Sequence, residues 1–333
     1  MKVKASDRVA GMSKISILTL SALLVGAGCA HLFDGAMQMP SKQWSVEHED
    51  DVNAVAHADG VVYSGGDEGV VRALDSETGD PVMIEGEAWI FEGHDGDINA
   101  LASNGDYVYV GGESDTIHVV DAETGEREWT FDDFETFVDA IVLDGDMAYA
   151  GGRRDSNVRA FHAENGEQKW VFRGHEDWVQ RLAVGHQGEY VFSGGRDNTI
   201  YALDAETGEE QWSSDAPERS VEGLAIKDNL LYSTAGREDN VRAQNAKTGA
   251  EQWIFEQEDG FEQGSAVATG EGMVYASGDE TLYILNAENG DEIWIYEGHS
   301  DRGNNTINDL AVDGRTVYTA SNDNTVHAVK MPE

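Results

Sequence analysis

The chain of 333 residues carries 64 acidic side chains against 22 basic ones, a formal net charge of −42 at pH 7. One acidic and four basic residues precede residue 30, so the remainder holds 63 Asp and Glu against 18 Lys and Arg. This balance excludes a general nucleic-acid binder, which needs a basic face to displace counterions from phosphates. It also argues against adhesion to anionic lipid by charge alone. Hydrophobic residues make up 40% of the chain and recur periodically, which excludes a disordered acidic chain.

The first 28 residues have the organisation of an export signal. A basic stretch ends at Lys14, an apolar run covers Ile15–Val25, and small residues precede Cys29, the only cysteine. The arrangement resembles a lipoprotein signal, in which that cysteine receives a lipid after cleavage, although Gly26 stands where such signals usually have Leu or Val. We therefore expect a signal over residues 1–28, lipidation at Cys29 and a tether over residues 29–42.

Two other interpretations of this segment stay open. Residues 15–33 form a run of 19 without a charge, which is nearly long enough to span a bilayer as a simple anchor. Plain secretion after cleavage is the third possibility. All three predict an exported protein, and two of them predict a protein held at the cell surface only through its N-terminus.

From residue 43 onward one pattern recurs, and the stretch Gly174–Trp212 displays it fully. Short runs alternate apolar and polar residues between clusters of Gly, Asn and Asp, which is the period-two pattern of half-buried strands. Asp204 and Gly208 bracket a turn suited to a tight hairpin. Four strands in each period of about 40 residues predict a β-propeller.

Two independent aromatic positions count the repeats. Tryptophans recur every 40 to 45 residues, at Trp44, Trp89, Trp129, Trp170, Trp212, Trp253 and Trp294. A second aromatic precedes the glycine pair or its equivalent, at Tyr63, Tyr109, Tyr149, Phe192, Tyr232, Tyr275 and Tyr318. The last repeat has no tryptophan of its own, so we predict a seven-bladed propeller over residues 43–333 in which Gln43–Glu47 supplies the outer strand of the last blade.

Parts of the repeat resemble the WD family. Gly174-His175, the later Asp197 and the strand-ending Asp204 fit that repeat, and Gly93-His94 and Gly298-His299 repeat its opening. The resemblance implies structural hydrogen bonds between His175 and Asp197 and between His299 and Asp323. The family's tryptophan is absent before the strand-ending acid.

In this chain the tryptophan follows the hairpin instead, as in Val120–Trp129 and Leu203–Trp212. That form is similar to the repeat of the pyrroloquinoline-quinone-like propellers, and variants of it cover most of the chain. The family contains quinone-dependent dehydrogenases and cofactor-free members, among them a lipoprotein that scaffolds outer-membrane protein assembly. Its enzymes carry adjacent cysteines and eight blades, whereas this chain has one cysteine, so the resemblance implies no quinone cofactor.

No catalytic signature is present: the chain lacks a Gly-Lys phosphate loop, a Gly-x-Ser-x-Gly elbow and a His-Glu-x-x-His motif. We therefore expect a non-catalytic, surface-tethered scaffold for protein interaction or assembly, with no cofactor and no metal. The alternative is a module that binds a small molecule, an ion or a glycan at the mouth of the channel. The acidic, lysine-poor surface resembles that of proteins from extreme halophiles, so the expected partner is itself an acidic protein.

Each blade carries one carboxamide or carboxylate three residues before the alanine, or its equivalent, of the inner strand. These residues are predicted to form a polar ring at the channel mouth: Asn53, Asn99, Asp139, Gln180, Glu222, Gln263 and Asn308. Such side chains either bind a ligand or satisfy backbone groups where blades converge.

Arginines are concentrated in the middle of the chain, with nine of the 14 between Arg153 and Arg242. Four of them fall in loops between second and third strands, which share a face with the Gly-His loops: Arg153, Arg154, Arg196 and Arg237. Acidic neighbours in sequence suggest local pairing, which contributes little stability. The other interpretation is a docking arc on the third, fourth and fifth blades, because guanidinium groups bind carboxylates in a two-pronged geometry.

Overall fold

The computed structural model describes residues 39–132, 134, 137–185, 188–215, 220–235, 238–256, 266–278, 280–299 and 305–332, with backbone alone for residues 238–240. Within these residues every regular element is a β-strand, and the strands form seven antiparallel sheets of four and one two-stranded hairpin. The inner strand of each sheet contacts the inner strand of the next, and the last contacts the first. The predicted all-β, seven-bladed propeller is confirmed.

The strands follow the repeat along the chain. The closing strand is β1 (Ser41–Glu47), and the first blade contains β2 (Val52–Ala58), β3 (Val61–Gly66), β4 (Val71–Asp75) and β7 (Ile90–Phe91), with a hairpin of β5 (Met83–Ile84) and β6 (Glu87–Ala88) inserted before β7. The second blade contains β8 (Ile98–Ser103), β9 (Tyr107–Gly112), β10 (Ile117–Asp121) and β11 (Arg127–Phe131). The third contains β12 (Val138–Asp144), β13 (Met147–Gly152), β14 (Val158–His162) and β15 (Gln168–Phe172).

The remaining blades repeat this order without an insertion. The fourth contains β16 (Val179–Gly185), β17 (Tyr190–Gly195), β18 (Thr199–Asp204) and β19 (Glu210–Asp215). The fifth contains β20 (Val221–Lys227), β21 (Leu230–Ala235), β22 (Glu238–Asn245) and β23 (Glu251–Glu256). The sixth contains β24 (Val267–Gly270), β25 (Met273–Gly278), β26 (Thr281–Asn286) and β27 (Glu292–Tyr296), and the seventh contains β28 (Ile307–Asp313), β29 (Thr316–Ser321) and β30 (Thr325–Lys330).

The N-terminal strand closes the ring as predicted. β1 pairs antiparallel with β30 and places Trp44 opposite Ala328, so it is the outer strand of the seventh blade. It begins at Ser41, two residues before the expected Gln43. Because the first and last parts of the chain share one sheet, the edge of β30 is paired rather than exposed.

Tryptophans of one blade lie on the hairpin of the next. An added Cβ at the hairpin glycine would meet the indole in six pairs: Gly79 and Trp44, Gly125 and Trp89, Gly166 and Trp129, Gly208 and Trp170, Gly249 and Trp212, and Gly290 and Trp253. Glycine is required there because these positions have positive φ and because the indole occupies the space of a side chain. The tryptophan spacing therefore records the contacts between blades.

The seventh interface is built differently. The last blade has no hairpin between its third and fourth strands, because β30 comes from the C-terminal end of the chain and β1 from the N-terminal end. The buried side chain of Met331 lies in the same apolar cluster as Trp294 at this interface. Trp294 thus packs against the end of the chain and not against a turn.

Candidate functional site

The channel opens on one face through a polar mouth. The six described members of the predicted ring border one cavity of about 450 Å³: Asn53, Asn99, Asp139, Gln180, Glu222 and Asn308. Gln263 lies outside the described residues. Three arginines and a tryptophan complete the lining: Arg153, Arg181, Arg196 and Trp178.

A β-bulge places each ring residue. In six of the seven blades the pairing of the inner strand with its neighbour skips one residue, as Asn53 is skipped between Val52 and Ala54, and Gln180 between Val179 and Arg181. The same skip occurs at the other four described members: Asn99, Asp139, Glu222 and Asn308. A bulge turns a side chain away from the direction that regular strand alternation would give it. The bulges therefore account for the common position of the six described ring residues.

The sixth blade has a different register from the one the sequence suggested. Ala268 lies opposite Tyr275 in the pairing of β24 with β25, just as Ala183 lies opposite Phe192 in the fourth blade. Ser265 stands three residues before Ala268, whereas the predicted Gln263 stands three residues before Ala266. Ser265 also lies outside the described residues.

Several ring residues bond to their neighbours. Asn308 Nδ2 donates to the carbonyl oxygen of Val52 at 2.9 Å across the junction of the last and first blades. Asn53 Nδ2 donates to Asp67 Oδ1 at 2.8 Å. In contrast, Asn99 Nδ2 and Gln180 Oε1 are shielded from solvent without a hydrogen-bond partner among the described residues. The ring therefore combines members that join blades with members that have unused hydrogen-bonding capacity.

The candidate docking arginines differ in their surroundings. Arg153 Nε lies 2.8 Å from Asp139 Oδ2, so this arginine is neutralised by a ring carboxylate. The guanidinium of Arg196 lies 3.6 Å above the ring of Trp178, and its side chain is exposed. Arg154 is exposed as well, and Arg237 lies outside the described residues. The structure thus brings Arg153 and Arg196 to the same cavity as the polar ring.

Sequence reasoning missed Trp178, Arg181 and Asp309. Trp178 is the one tryptophan of eight that does not follow the repeat spacing. Arg181 and Asp309 each follow a ring residue, where the first three blades have alanine and the fifth has glycine. Both departures from the repeat were visible in the sequence, and each would have identified a residue of the channel.

A second cavity of the channel, of about 210 Å³, shares four ring residues with the mouth and is otherwise lined by Arg181, Asp309 and small or apolar residues of the inner strands. Asp309 Oδ2 accepts the backbone N–H of Val55 at 2.9 Å. Burial raises the pKa of Asp309, although that hydrogen bond and the charge of Arg181 act in the opposite direction. The far mouth, of about 410 Å³, is lined almost entirely by apolar side chains such as Leu101 and Ile141.

The rim of the polar mouth is acidic on the first two blades. Asp51 and Asp97 precede the inner strands of these blades, and Asp67 and Glu113 follow their second strands. Burial, reinforced by nearby carboxylates, raises the pKa values of Asp51 and Asp97. Negative charge is thus concentrated on the two blades that precede the arginine-bearing third and fourth blades.

The structural hydrogen bonds implied by the WD resemblance are confirmed. His175 Nδ1 donates to Asp197 Oδ2 at 2.8 Å, and the Ser193 hydroxyl lies 2.8 Å from Nε2 of the same ring. Burial opposes ionisation of Asp197, but the hydrogen bond and charge of His175 and the backbone N–H bonds hold its pKa below the usual range. His299 makes the equivalent bonds to Asp323 and Thr319 at 2.9 and 2.8 Å.

One cluster has the composition of a metal site, namely His299, Asp323 and His327. Hydrogen bonds already occupy all four ring nitrogens. His299 is bonded to Asp323 and Thr319, while Nδ1 of His327 lies 3.4 Å from the Tyr296 hydroxyl and its Nε2 lies 3.1 Å from Thr325 Oγ1. These bonds explain the cluster as part of the blade, and we assign no metal to it.

The sequence matches one protein-family model, described as outer membrane protein assembly factor BamB, over residues 85–182 and 174–333. The chain belongs to this BamB family. Its pyrroloquinoline-quinone-like repeat is therefore confirmed. No curated protein matches this BamB-family propeller in sequence.

Among solved structures, the BamB-family propeller resembles the computationally designed protein Ika8, with a TM-score of 0.66 and 22% identity. The match covers 87% of this chain and 99% of the designed one, and it concerns the fold alone. Within the described residues of the propeller, no helix is long and apolar enough to cross a membrane.

Proposed function

We propose that this BamB-family protein is a non-catalytic scaffold that docks a partner protein on the face of the polar mouth. The observation that carries the proposal is the pair of Trp178 and Arg196, an exposed guanidinium stacked on an aromatic ring in a chain of net charge −42. Arginine and tryptophan are enriched where partners bind most strongly. The family's description as an assembly factor supports the same class of function.

The partner in this proposal is an acidic protein. Two acidic surfaces repel each other unless one of them offers positive groups, and guanidinium groups suit that purpose because they are weakly hydrated and bind carboxylates with two parallel hydrogen bonds. Arg154 and Arg196 are the exposed candidates. Arg153 supports the site indirectly, since its charge is shared with Asp139.

The proposal also covers the N-terminal part of the chain. Residues 1–28 act as an export signal, Cys29 carries the lipid, and the residues before β1 tether the propeller to the membrane surface. A halophilic environment completes the proposal, because molar salt screens the repulsion among 63 acidic residues. The channel-mouth module for a small molecule, ion or glycan remains the second candidate, supported by the cavity of about 450 Å³.

Paired charge reversals test the docking face. Arg154→Glu with Arg196→Glu should abolish covalent cross-linking to the partner in intact cells, while the melting temperature stays within about 2 °C because both side chains are exposed. Arg127→Glu with Lys247→Glu is the control, since it makes the same change of charge at exposed positions on the hairpin side. Equal cross-linking by both double variants would place the interaction elsewhere.

A further inference from the structure

Equivalent positions of the repeat, at the polar mouth, carry acidic side chains on some blades and aromatic or arginine side chains on their neighbours. In each of the first four blades a backbone N–H after the second strand donates to a carbonyl before the inner strand, at 2.9 to 3.1 Å. The residue pairs so joined are Asp51 and Asp67, Asp97 and Glu113, Phe137 and Arg153, and Trp178 and Arg196. These backbone hydrogen bonds form whatever side chains the residues carry. The fold therefore does not require aromatic residues and arginines on two blades and acids on the other two.

Arg196, unlike Arg153, keeps its guanidinium N–H groups available to a ligand. Its guanidinium stacks on Trp178, and among the described residues no carboxylate lies within ion-pair distance of it. Stacking covers the face of the guanidinium but leaves its N–H groups directed outward in the plane, where a carboxylate binds with two parallel bonds. The stack also fixes the side chain before binding, which lowers the entropy lost on association.

The polar ring supplies a donor and an acceptor that can bind a peptide backbone. Asn99 Nδ2 is a donor and Gln180 Oε1 is an acceptor, and both are without partners among the described residues while lining the same cavity as Arg196. A peptide bond offers one acceptor and one donor, so an extended backbone can satisfy both. The cavity, at about 450 Å³, falls within the range of ligand sites.

The charges around the cavity restrict which kind of anion it can bind. Asp139 and Glu222 line the cavity, and the acidic rim of the first two blades adds Asp51 and Asp97. These groups oppose a phosphate, which carries nearly two negative charges, more than a singly charged carboxylate. They also repel the carboxylates of an acidic chain, so these side chains should face the third and fourth blades while the uncharged backbone reaches Asn99 of the second.

We infer that the polar mouth binds an extended acidic segment of the partner protein, with one carboxylate held by Arg196 on Trp178 and the adjoining backbone held by Asn99 and Gln180. The inference rests on the proposed function and specifies how the partner is recognised. The segment enters over the third and fourth blades and its carboxylate pairs with the stacked guanidinium.

An acetylated hexaglutamate peptide serves as the probe, with hexaglutamine as the uncharged control. Isothermal titration with the full-length protein in detergent, at about 0.15 M and 2 M potassium chloride, should detect binding of hexaglutamate alone. Arg196→Lys should weaken it by about tenfold because the bidentate geometry is lost, and Arg196→Glu should abolish it. Arg127→Glu, with the same change of charge at the far end of the strands, should change the affinity less than about twofold.

Binding of hexaglutamate to the Arg196→Glu variant with unchanged affinity, equal binding of hexaglutamine, or no binding to the original protein would each overturn the inference. In the last case, loss of cross-linking by Arg154→Glu with Arg196→Glu would still support docking on this face, so the two proposals fail separately. Phosphate at the same total charge should compete poorly with hexaglutamate, and efficient competition would mean that the site selects charge alone.

Discussion

The indole Nε1 of Trp170 donates a 3.0 Å hydrogen bond to the carbonyl oxygen of Ala205, which lies in the hairpin of the next blade. The same oxygen lies 3.5 Å from the Tyr149 hydroxyl, which donates to it. The two aromatic positions that count the repeats therefore meet at one backbone atom of the neighbouring blade. Trp253 and Tyr232 meet at Ala287 in the same way, at 3.2 and 3.1 Å.

Trp170→Ala should lower the free energy of unfolding by roughly 3–5 kcal/mol, because it removes a large side chain between blades and leaves the Ala205 oxygen with one partner fewer. Trp294→Ala should cost less, since Trp294 is half-buried beside the chain end and has no hairpin to contact. Urea denaturation compares the two. Equal losses of unfolding free energy in the two variants would show that the contact between the indole and the hairpin does not stabilise the protein.

Gly208→Ala should destabilise the protein more than Gly272→Ala. Both glycines have positive φ, +73° and +78°, and alanine in that conformation costs roughly 1–2 kcal/mol. At Gly208 the added Cβ would also lie 2.7 Å from the Trp170 ring, whereas at Gly272 it would meet nothing within 4 Å. The difference between the two melting temperatures measures the contact with the indole; identical melting would argue against it.

His327→Tyr should weaken the loss of stability in acid. Burial, followed by the positive charge that His299 can carry, lowers the pKa of His327 from 6.5 to about 3. The unfolded chain therefore binds a proton between these values that the folded chain does not, so stability falls with decreasing pH by at most about 1.4 kcal/mol per pH unit. Tyrosine occupies the equivalent position, Tyr201, in the fourth blade, opposite Ser193 as His327 is opposite Thr319.

Urea denaturation between pH 7 and pH 4 checks this prediction. The original protein should lose stability more steeply below about pH 6.5 than the variant, because the variant lacks one group with a depressed pKa. His48 and His118, with pKa values lowered to about 4, titrate in both proteins and do not affect the difference. Parallel curves would show that His327 is accessible to protons in the fold.

Lowering the salt concentration should destabilise the propeller. After residue 29 the chain has 63 acidic and 18 basic residues, and their repulsion grows as the screening length increases from about 3 Å at 1 M to about 10 Å at 0.1 M. The midpoint of thermal melting should therefore fall between molar and about 0.1 M potassium chloride. A constant midpoint would contradict the halophilic interpretation of the charge.

Cys29→Ser should release the protein from membranes if a lipid on that thiol is the anchor, because one or two acyl chains supply the membrane affinity. Fractionation of cells expressing the variant measures the release. Retention in the membrane, together with an intact N-terminus by mass spectrometry, would favour the spanning segment instead. Secretion of the unchanged protein into the medium would favour plain export.

The sequence by itself determined the number of blades and the closure of the ring. Both follow from covalent spacing, since Trp44 precedes the first full repeat and the last repeat lacks a tryptophan, which leaves β1 one place to pair. The resemblance to the WD repeat implied the buried histidine networks of two blades, His175 with Asp197 and His299 with Asp323. These features depend on distances along the chain, which the repeat fixes.

Only the tertiary structure decided which residues join the predicted ring at the mouth and how each of them is paired. Ala266 and Ala268 both fit the alanine position in sequence, and only strand pairing with Tyr275 distinguishes them. Arg153 and Arg196 look equivalent in sequence, and both guanidinium groups lie over the Trp178 ring. Among the described residues only the first is neutralised by a carboxylate, that of Asp139, 14 residues away. Such differences arise because bulges and neighbouring blades set side-chain direction, and neither leaves a signal in local spacing.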